Sequence, residues 1–85
     1  MARAAPERSP EERALARRLY DHLDAIDATK RIALVLYAIE GHSVDEIAAL
    51  MGAGKAATRS RIFWARRALL RRMRRDPELA EGGRP

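Results

Sequence analysis

Basic side chains are concentrated in one stretch of this 85-residue chain, and their type and spacing point most clearly to a chemistry. Residues 55–75 hold nine Lys or Arg and no Asp or Glu, whereas the other 64 residues hold eight basic and twelve acidic side chains. Cations gathered on one segment are the electrostatic signature of a polyanionic partner, most often nucleic acid. The alternative is a solvated helix in which arginine reflects a GC-rich genome. Nucleic acid is favoured because the other segments mix both signs.

Other arrangements that could bind a metal or catalyse a reaction fail on spacing or composition. The only histidines, His22 and His42, lack the spacing of metal ligands. Three acids recur at every third position near a predicted helix end, where caps and solvated charges explain them better: Asp21, Asp24 and Asp27. The chain has no cysteine and no set of nucleophile, base and orienting group. We therefore expect no enzymatic activity, no metal and no cofactor.

Length and composition limit the kind of protein further. Eighty-five residues suit one small domain, and 17 of the apolar residues are alanine, so the core must be a thin seam between helices. No apolar run approaches the roughly 20 residues that cross a bilayer. Residues 1–10 also lack the apolar stretch of a signal peptide. The expected location is the cytoplasm, with no membrane partner.

Helix-start signals and glycines divide the chain into the elements that must position the basic segment. Ser9 with Glu12, and Ser43 with Glu46, have the spacing of capping boxes, while Gly41 is a natural helix stop. No stretch alternates with the period of a strand. We predict an all-α, small four-helix bundle with helices near residues 10–24, 28–40, 44–51 and 55–75. Residues 1–9 form a predicted disordered lead, 10–76 the domain and 77–85 a flexible tail.

Apolar residues at helical spacing predict which face of each helix is buried. Leu15, Leu19, Leu23 and Ile26 mark the first helix and its exit, and Val44, Ile47, Ala48 and Met51 mark the third. The second helix has Ile32, Val35, Leu36 and Ile39. The basic helix has Thr58, Ile62, Ala65, Leu69 and Met73.

Residues 41–70 have the plan of a helix-turn-helix: a capped short helix, a tight turn containing glycine and a long basic helix. In such units the second helix lies in the major groove of DNA and presents its N-terminal residues to base edges. An αα-hairpin without a DNA role would look similar. The acid-free second helix favours DNA, because a structural hairpin does not need one.

Two aromatic residues of the basic helix, Phe63 and Trp64, lie off its apolar stripe. Phe63 shares a face with Arg59 and Arg66, with Ser60 and Arg67 beside them. An aromatic ring among arginines could touch a thymine methyl group or pack on a sugar. The alternatives are that Phe63 packs on the first helix and that Trp64 packs on a partner.

Residues 23–73 resemble the fourth conserved region of bacterial sigma factors, especially those of the extracytoplasmic-function group. The likeness is carried by two segments, EGHSVDEIAALMG at residues 40–52 and RSRIFWARRAL at residues 59–69. The resemblance implies a small helical bundle whose helix-turn-helix reads the upstream (minus thirty-five) promoter element. It also implies docking on the flap of the RNA polymerase β subunit, and a cytoplasmic, nucleoid-associated location in bacteria.

Matching the recognition helix residue by residue assigns roles to individual side chains. The base-reading positions implied by the resemblance are Lys55, Ala56, Arg59, Ser60 and Phe63. The positions implied to contact phosphates are Arg61, Arg66 and Arg67. The implied partners are double-stranded promoter DNA and the RNA polymerase core, with an anti-sigma factor or a separate region-two subunit as further candidates.

Two departures from the family pattern bear on these expectations. Ala56-Ala57-Thr58 stands where the family often has Gly-Thr-Val, which affects the hexamer that is read. The family's second region is about as large as this whole chain and does not fit into residues 1–22. The chain is thus expected to be a fragment, half of a split sigma factor or a free-standing region-four protein. The alternative functions are a different helix-turn-helix regulator, such as a response-regulator output domain, and a module that binds polymerase or an anti-sigma factor without promoter activity.

Overall fold

The computed structural model describes residues 9–82, with side chains for residues 9–79. It contains five helices: α1 Pro10–Asp24, α2 Ala28–Ala38, α3 Val44–Met51, α4 Lys55–Arg74 and α5 Pro77–Gly82. Within this part of the chain there is no strand, so the expected all-α class is confirmed. The predicted lead over residues 1–8 and the last three residues of the predicted tail lie outside the described residues.

Both predicted capping boxes are present. The Ser9 hydroxyl accepts from the Glu12 N–H at 3.1 Å, and the Glu12 carboxylate accepts from the Ser9 N–H at 2.9 Å. Ser43 and Glu46 repeat the arrangement at 3.1 and 2.8 Å. These reciprocal bonds satisfy N–H groups that a helix leaves without partners at its start. The starts of α1 and α3 are thus determined by local sequence.

The number of helices differs from the prediction of four. Pro77 ends α4 as expected, but it is also the first residue of α5, within the segment predicted to be a flexible tail. The Asp76 carboxylate accepts from the Glu78 N–H at 3.1 Å, and the Leu79 N–H donates to the Asp76 carbonyl at 3.1 Å. Asp76-Pro77-Glu78 has the same order of cap, proline and acid as the start of α1. That local signal could have predicted the fifth helix.

The core lies where α2 crosses α4, which is the most extensive packing between helices in the described residues. Ala33 of α2 and Ala65 of α4 are both fully buried, and such small side chains let two helices approach closely. The buried apolar cluster also includes Leu23, Ile26, Leu34, Ile47 and Ile62.

The face of α4 toward the core is the predicted one, since Thr58, Ile62 and Ala65 are buried. The buried face of α2 agrees with the prediction only in part. Leu36 packs against the core and Val35 is half-buried, whereas Ile32 and the C-cap residue Ile39 are about half exposed. The fully buried residues of α2 are Ala33 and Leu34, which were not in the predicted stripe.

Candidate nucleic-acid interface

The turn between α3 and α4 is formed by local backbone geometry. Gly52 ends α3 with φ +63°, a left-handed conformation that side-chain-bearing residues adopt at a cost. Gly54 caps α4 in an extended conformation and provides no side chain for the cap. The Thr58 hydroxyl also donates to the Gly54 carbonyl at 2.8 Å, and Thr58 is fully buried. This turn directs the first residues of α4 away from the core, as a helix-turn-helix requires.

All the predicted base-reading residues lie on the exposed surface of the first half of α4. Lys55, Ala56, Arg59, Ser60 and Phe63 are each exposed. Lys55 is engaged in an ion pair in which its Nζ lies 2.9 Å from Asp45 Oδ1 of α3. Both of these side chains are more than half exposed, so the pair is weak and Lys55 can exchange it for another anion. The structure thus brings together the five residues that the resemblance assigned to bases.

The three arginines predicted to contact phosphates do not form one group. At about 100° per residue, Arg61, Arg66 and Arg67 lie on three different sides of α4. Arg61 is half-buried, whereas Arg66 and Arg67 are exposed. Arg66 borders an apolar groove between α2 and α4, and Arg67 lies against two aromatic rings. A duplex cannot engage all three in the same way.

An aromatic cluster lies beside the predicted reading residues. The rings of Phe63 and Trp64 meet edge to face with centroids 5.0 Å apart and planes at 86°. The Arg67 guanidinium carbon lies 5.7 Å from the Phe63 centroid and 6.0 Å from that of Trp64. The site residues predicted from the sequence did not include Trp64, although its position off the apolar stripe was the available signal.

The far end of α4 is tied to α1 by a cluster of charged and polar groups. The Asp76 carboxylate, with a side chain only 4% exposed, accepts from Arg18 Nη2 at 2.7 Å and from Arg18 Nε at 2.9 and 3.2 Å. His22 Nε2 lies 2.7 Å from Asp76 Oδ2. Hydrogen bonds from Arg18, and then from His22, hold the pKa of Asp76 well below its usual range, although burial acts in the opposite direction. Spacing along the chain did not predict this contact.

An apolar groove of about 240 Å³ opens between α1, α2 and the second half of α4. At the edges of the groove, Leu70 of α4 is 43% exposed and Ile39, which follows α2, is 55% exposed. Arg66 is the one charged residue that lines the groove. The other lining residues are Leu19, Leu23, Leu34, Val35, Ala38 and Leu69. The groove is thus lined almost entirely by apolar side chains.

Within residues 9–82, no group of three or more His, Cys, Asp or Glu side chains could hold a metal ion. None of the described helices is both long and apolar enough to span a membrane.

A capped short helix, a turn through a left-handed glycine and a long basic helix with exposed N-terminal residues define a helix-turn-helix protein. The family model for sigma-70, region 4, matches residues 16–69, which is more than half of the chain. The chain belongs to this family and is a DNA-binding sigma-factor module of a non-enzymatic kind. Neither the curated proteins nor the solved structures that were compared include a match.

Proposed function

We propose that this chain recognises the upstream (minus thirty-five) promoter element and docks on the β flap of RNA polymerase during transcription initiation. The observation that carries the DNA half of the proposal is the exposed first half of α4. Arg59 and Ser60 are exposed there, on a different side of the same turn from the buried Thr58 and Ile62 that hold the helix on the core. The guanidinium of arginine binds guanine through two parallel hydrogen bonds in the major groove.

The apolar groove supports the polymerase half of the proposal. It lies between α2 and the second half of α4, whereas the reading residues lie on the first half. A protein helix with an apolar face would match its lining. DNA and polymerase could therefore bind at the same time. We further propose membership of the extracytoplasmic-function group and a cytoplasmic, nucleoid-associated location.

The experiment that tests DNA recognition compares two arginines of α4 on one duplex. The duplex is selected from a random library by the full chain, and binding to each single-base variant is measured at two salt concentrations. Arg59→Ala is expected to cost about 1–3 kcal/mol and to relax preference at one base pair. Arg66→Ala, which removes a proposed phosphate contact, is expected to weaken all duplexes alike and to flatten the salt dependence by about one unit.

The same titration tests whether the basic helix is the DNA surface. If α4 neutralises about five phosphates, the logarithmic salt slope is expected to be about −4 to −5. A slope near zero, or a uniform loss across the panel for Arg59→Ala, would contradict the assignment. The second outcome would move base reading toward Lys55 and Ser60.

A second candidate function is a module that binds polymerase or an anti-sigma factor without promoter activity of its own. The specific observation in its favour is the exposed apolar surface of α2 and its C-cap residue, where Ile32 is 46% and Ile39 is 55% exposed. Co-purification of the full chain with the RNA polymerase core, followed by mass spectrometry, identifies the partners. Polymerase binding without any selected duplex would favour this second function, and a co-purifying region-two protein would identify a separate subunit.

A further inference from the structure

The aromatic cluster of α4 lies on the part of the helix that is farthest from the core. The buried stripe of α4 is formed by Thr58, Ile62 and Ala65. At about 100° per residue, Phe63 and Trp64 both lie on the opposite side of the helix from this stripe. Arg67 lies between them, one turn further along the helix. The half-exposed rings, 52% for Phe63 and 50% for Trp64, therefore project from the surface of the domain.

Contacts within the cluster favour this arrangement of the two rings. An edge-to-face aromatic pair is favourable beyond the area that it buries, and a guanidinium over a ring adds a cation–π contact. Among residues 9–82, no hydrogen bond or ion pair engages the Arg67 guanidinium, so its N–H groups remain available to a ligand. A prearranged side chain loses less conformational entropy when it binds.

The surface next to Trp64 favours a phosphate backbone. A recess of about 380 Å³ lies between the start of α2 and α4. Its lining includes Trp64 together with the cations Lys30, Arg71 and Arg72 and a single acid, Asp27. Trp64 thus lies between the predicted base-reading face and a basic recess. In a complex with DNA, this is where the edge of the major groove would meet the phosphate backbone of one DNA strand.

We propose that Phe63, Trp64 and Arg67 act as one unit that recognises the 5-methyl group of a thymine in the major groove, with Trp64 as a specificity-determining residue. This inference rests on the proposed function and specifies what part of the site reads. The thymine methyl is the apolar group on the major-groove edge of the base pairs, and an apolar ring edge is its complement. Arg67, held between the rings, contacts a phosphate.

The decisive experiment changes the DNA rather than the protein. In the duplex selected by the full chain, each thymine is replaced in turn by uracil, which pairs identically but lacks the methyl group. At one position, the wild-type chain is expected to bind the uracil duplex about fourfold more weakly than the thymine duplex. This ratio is the equivalent of about 0.8 kcal/mol for one buried methyl group. Replacing the same thymine by cytosine is expected to lower the affinity, and 5-methylcytosine at that position is expected to restore part of the lost affinity.

Protein variants assign that effect to the cluster. Trp64→Ala is expected to bind the thymine and uracil duplexes equally well, while circular dichroism checks that the variant folds. Tyr20→Ala removes an exposed aromatic ring from α1, where Tyr20 is 55% exposed, and is expected to retain the fourfold discrimination. Trp64 is the only tryptophan in the chain, so its fluorescence reports directly on the cluster and is expected to be quenched by the selected duplex.

The outcomes separate this inference from the function on which it rests. If the chain selects no duplex, both are wrong. If it binds a duplex specifically but uracil has no effect at any position, or Trp64→Ala discriminates as well as wild type, only the role of the cluster is wrong. Unchanged Trp64 fluorescence at saturating DNA would also overturn it.

Discussion

The two ends of the α4 helix are held in different ways. At its start, Gly52, Gly54 and the hydrogen bond from the Thr58 hydroxyl to the Gly54 carbonyl form the turn through contacts between residues close in sequence. Beyond its end, Asp76 is bound by Arg18 and His22, which are 58 and 54 residues away. The first end presents side chains to a ligand, whereas the second closes the bundle. The distant contact adds to the apolar packing of Leu19 and Leu23 that also holds α1 on the core.

The largest effect is therefore expected at Asp76. Asp76→Ala leaves Arg18 and His22 without their shared acceptor and also removes the side-chain cap of α5, so the melting temperature is expected to fall by several degrees. Asp76→Asn is expected to have a smaller effect, because an amide oxygen can still accept from Glu78. Thermal unfolding monitored by circular dichroism measures both.

A matched control for this substitution is Asp45→Asn at the other end of α4. Its ion pair with Lys55 is exposed, with 69% of the Asp45 side chain accessible, so the expected cost is less than about 1 kcal/mol. Equal melting temperatures for Asp76→Ala and wild type would mean that the tie between α1 and α5 does not stabilise the fold.

Acid is expected to weaken the same end of the molecule. The unfolded chain binds a proton at Asp76 near the ordinary pKa of about 3.9, whereas the folded chain holds that pKa lower. Between the two pKa values the unfolded state binds more protons, so stability falls as the pH is lowered. The contribution of Asp76 is complete above about pH 5 and is lost progressively below it.

Urea titrations at a series of pH values compare wild type with Asp76→Asn. The loss of unfolding free energy below pH 5 is expected to be shallower in the variant, because its residue 76 does not titrate. Parallel curves for the two proteins would show that another carboxylate determines acid stability. Glu46 is the next candidate, since hydrogen bonds from Ser43 lower its pKa.

These tests also indicate which parts of the fold the sequence could predict. The helix starts and the turn depend on residues within four positions of one another, and the boxes at Ser9 and Ser43 were predicted correctly. The buried face of α2 depends on how closely α2 crosses α4, which Ala33 and Ala65 permit and which no periodicity reveals. The tie at Asp76 joins residues too distant for any pattern to connect.

The candidate site also has residues that the sequence predicted and residues that depend on tertiary packing. The residues at the start of α4 were identified because motif and charge coincide there, and the structure finds them exposed. Trp64 was left out because an aromatic residue off the core stripe has no partner until Phe63 and Arg67 are positioned around it. The proposed docking groove was missed because the sequence assigned Ile39 to the core.

A moderate effect is expected from the turn, through two glycines that differ in conformation. Gly52→Ala places a side chain in the left-handed region at φ +63° and is expected to cost about 1–2 kcal/mol, although a Cβ there would meet no neighbouring atom within 4 Å. Gly54→Ala is expected to stay within about 0.5 kcal/mol, because Gly54 has an ordinary extended conformation. Equal costs in urea titrations would mean that backbone conformation does not control the turn.

The smallest effect on stability, and the one that separates folding from function most sharply, is expected at the ion pair between Asp45 and Lys55. Asp45→Asn costs little in unfolding free energy, but it frees Lys55 and removes a negative charge from the surface proposed to face DNA. Affinity for the selected duplex is expected to rise about two- to threefold at low salt, within the range of an exposed ion pair. Asp21→Asn, which makes the same charge change on the exposed surface of α1, is the control and is expected to change affinity less. Because screening weakens exposed charges, the gain from Asp45→Asn is expected to shrink as salt is raised. If both variants gain equally, net charge alone explains the effect and Lys55 has no particular place at the interface.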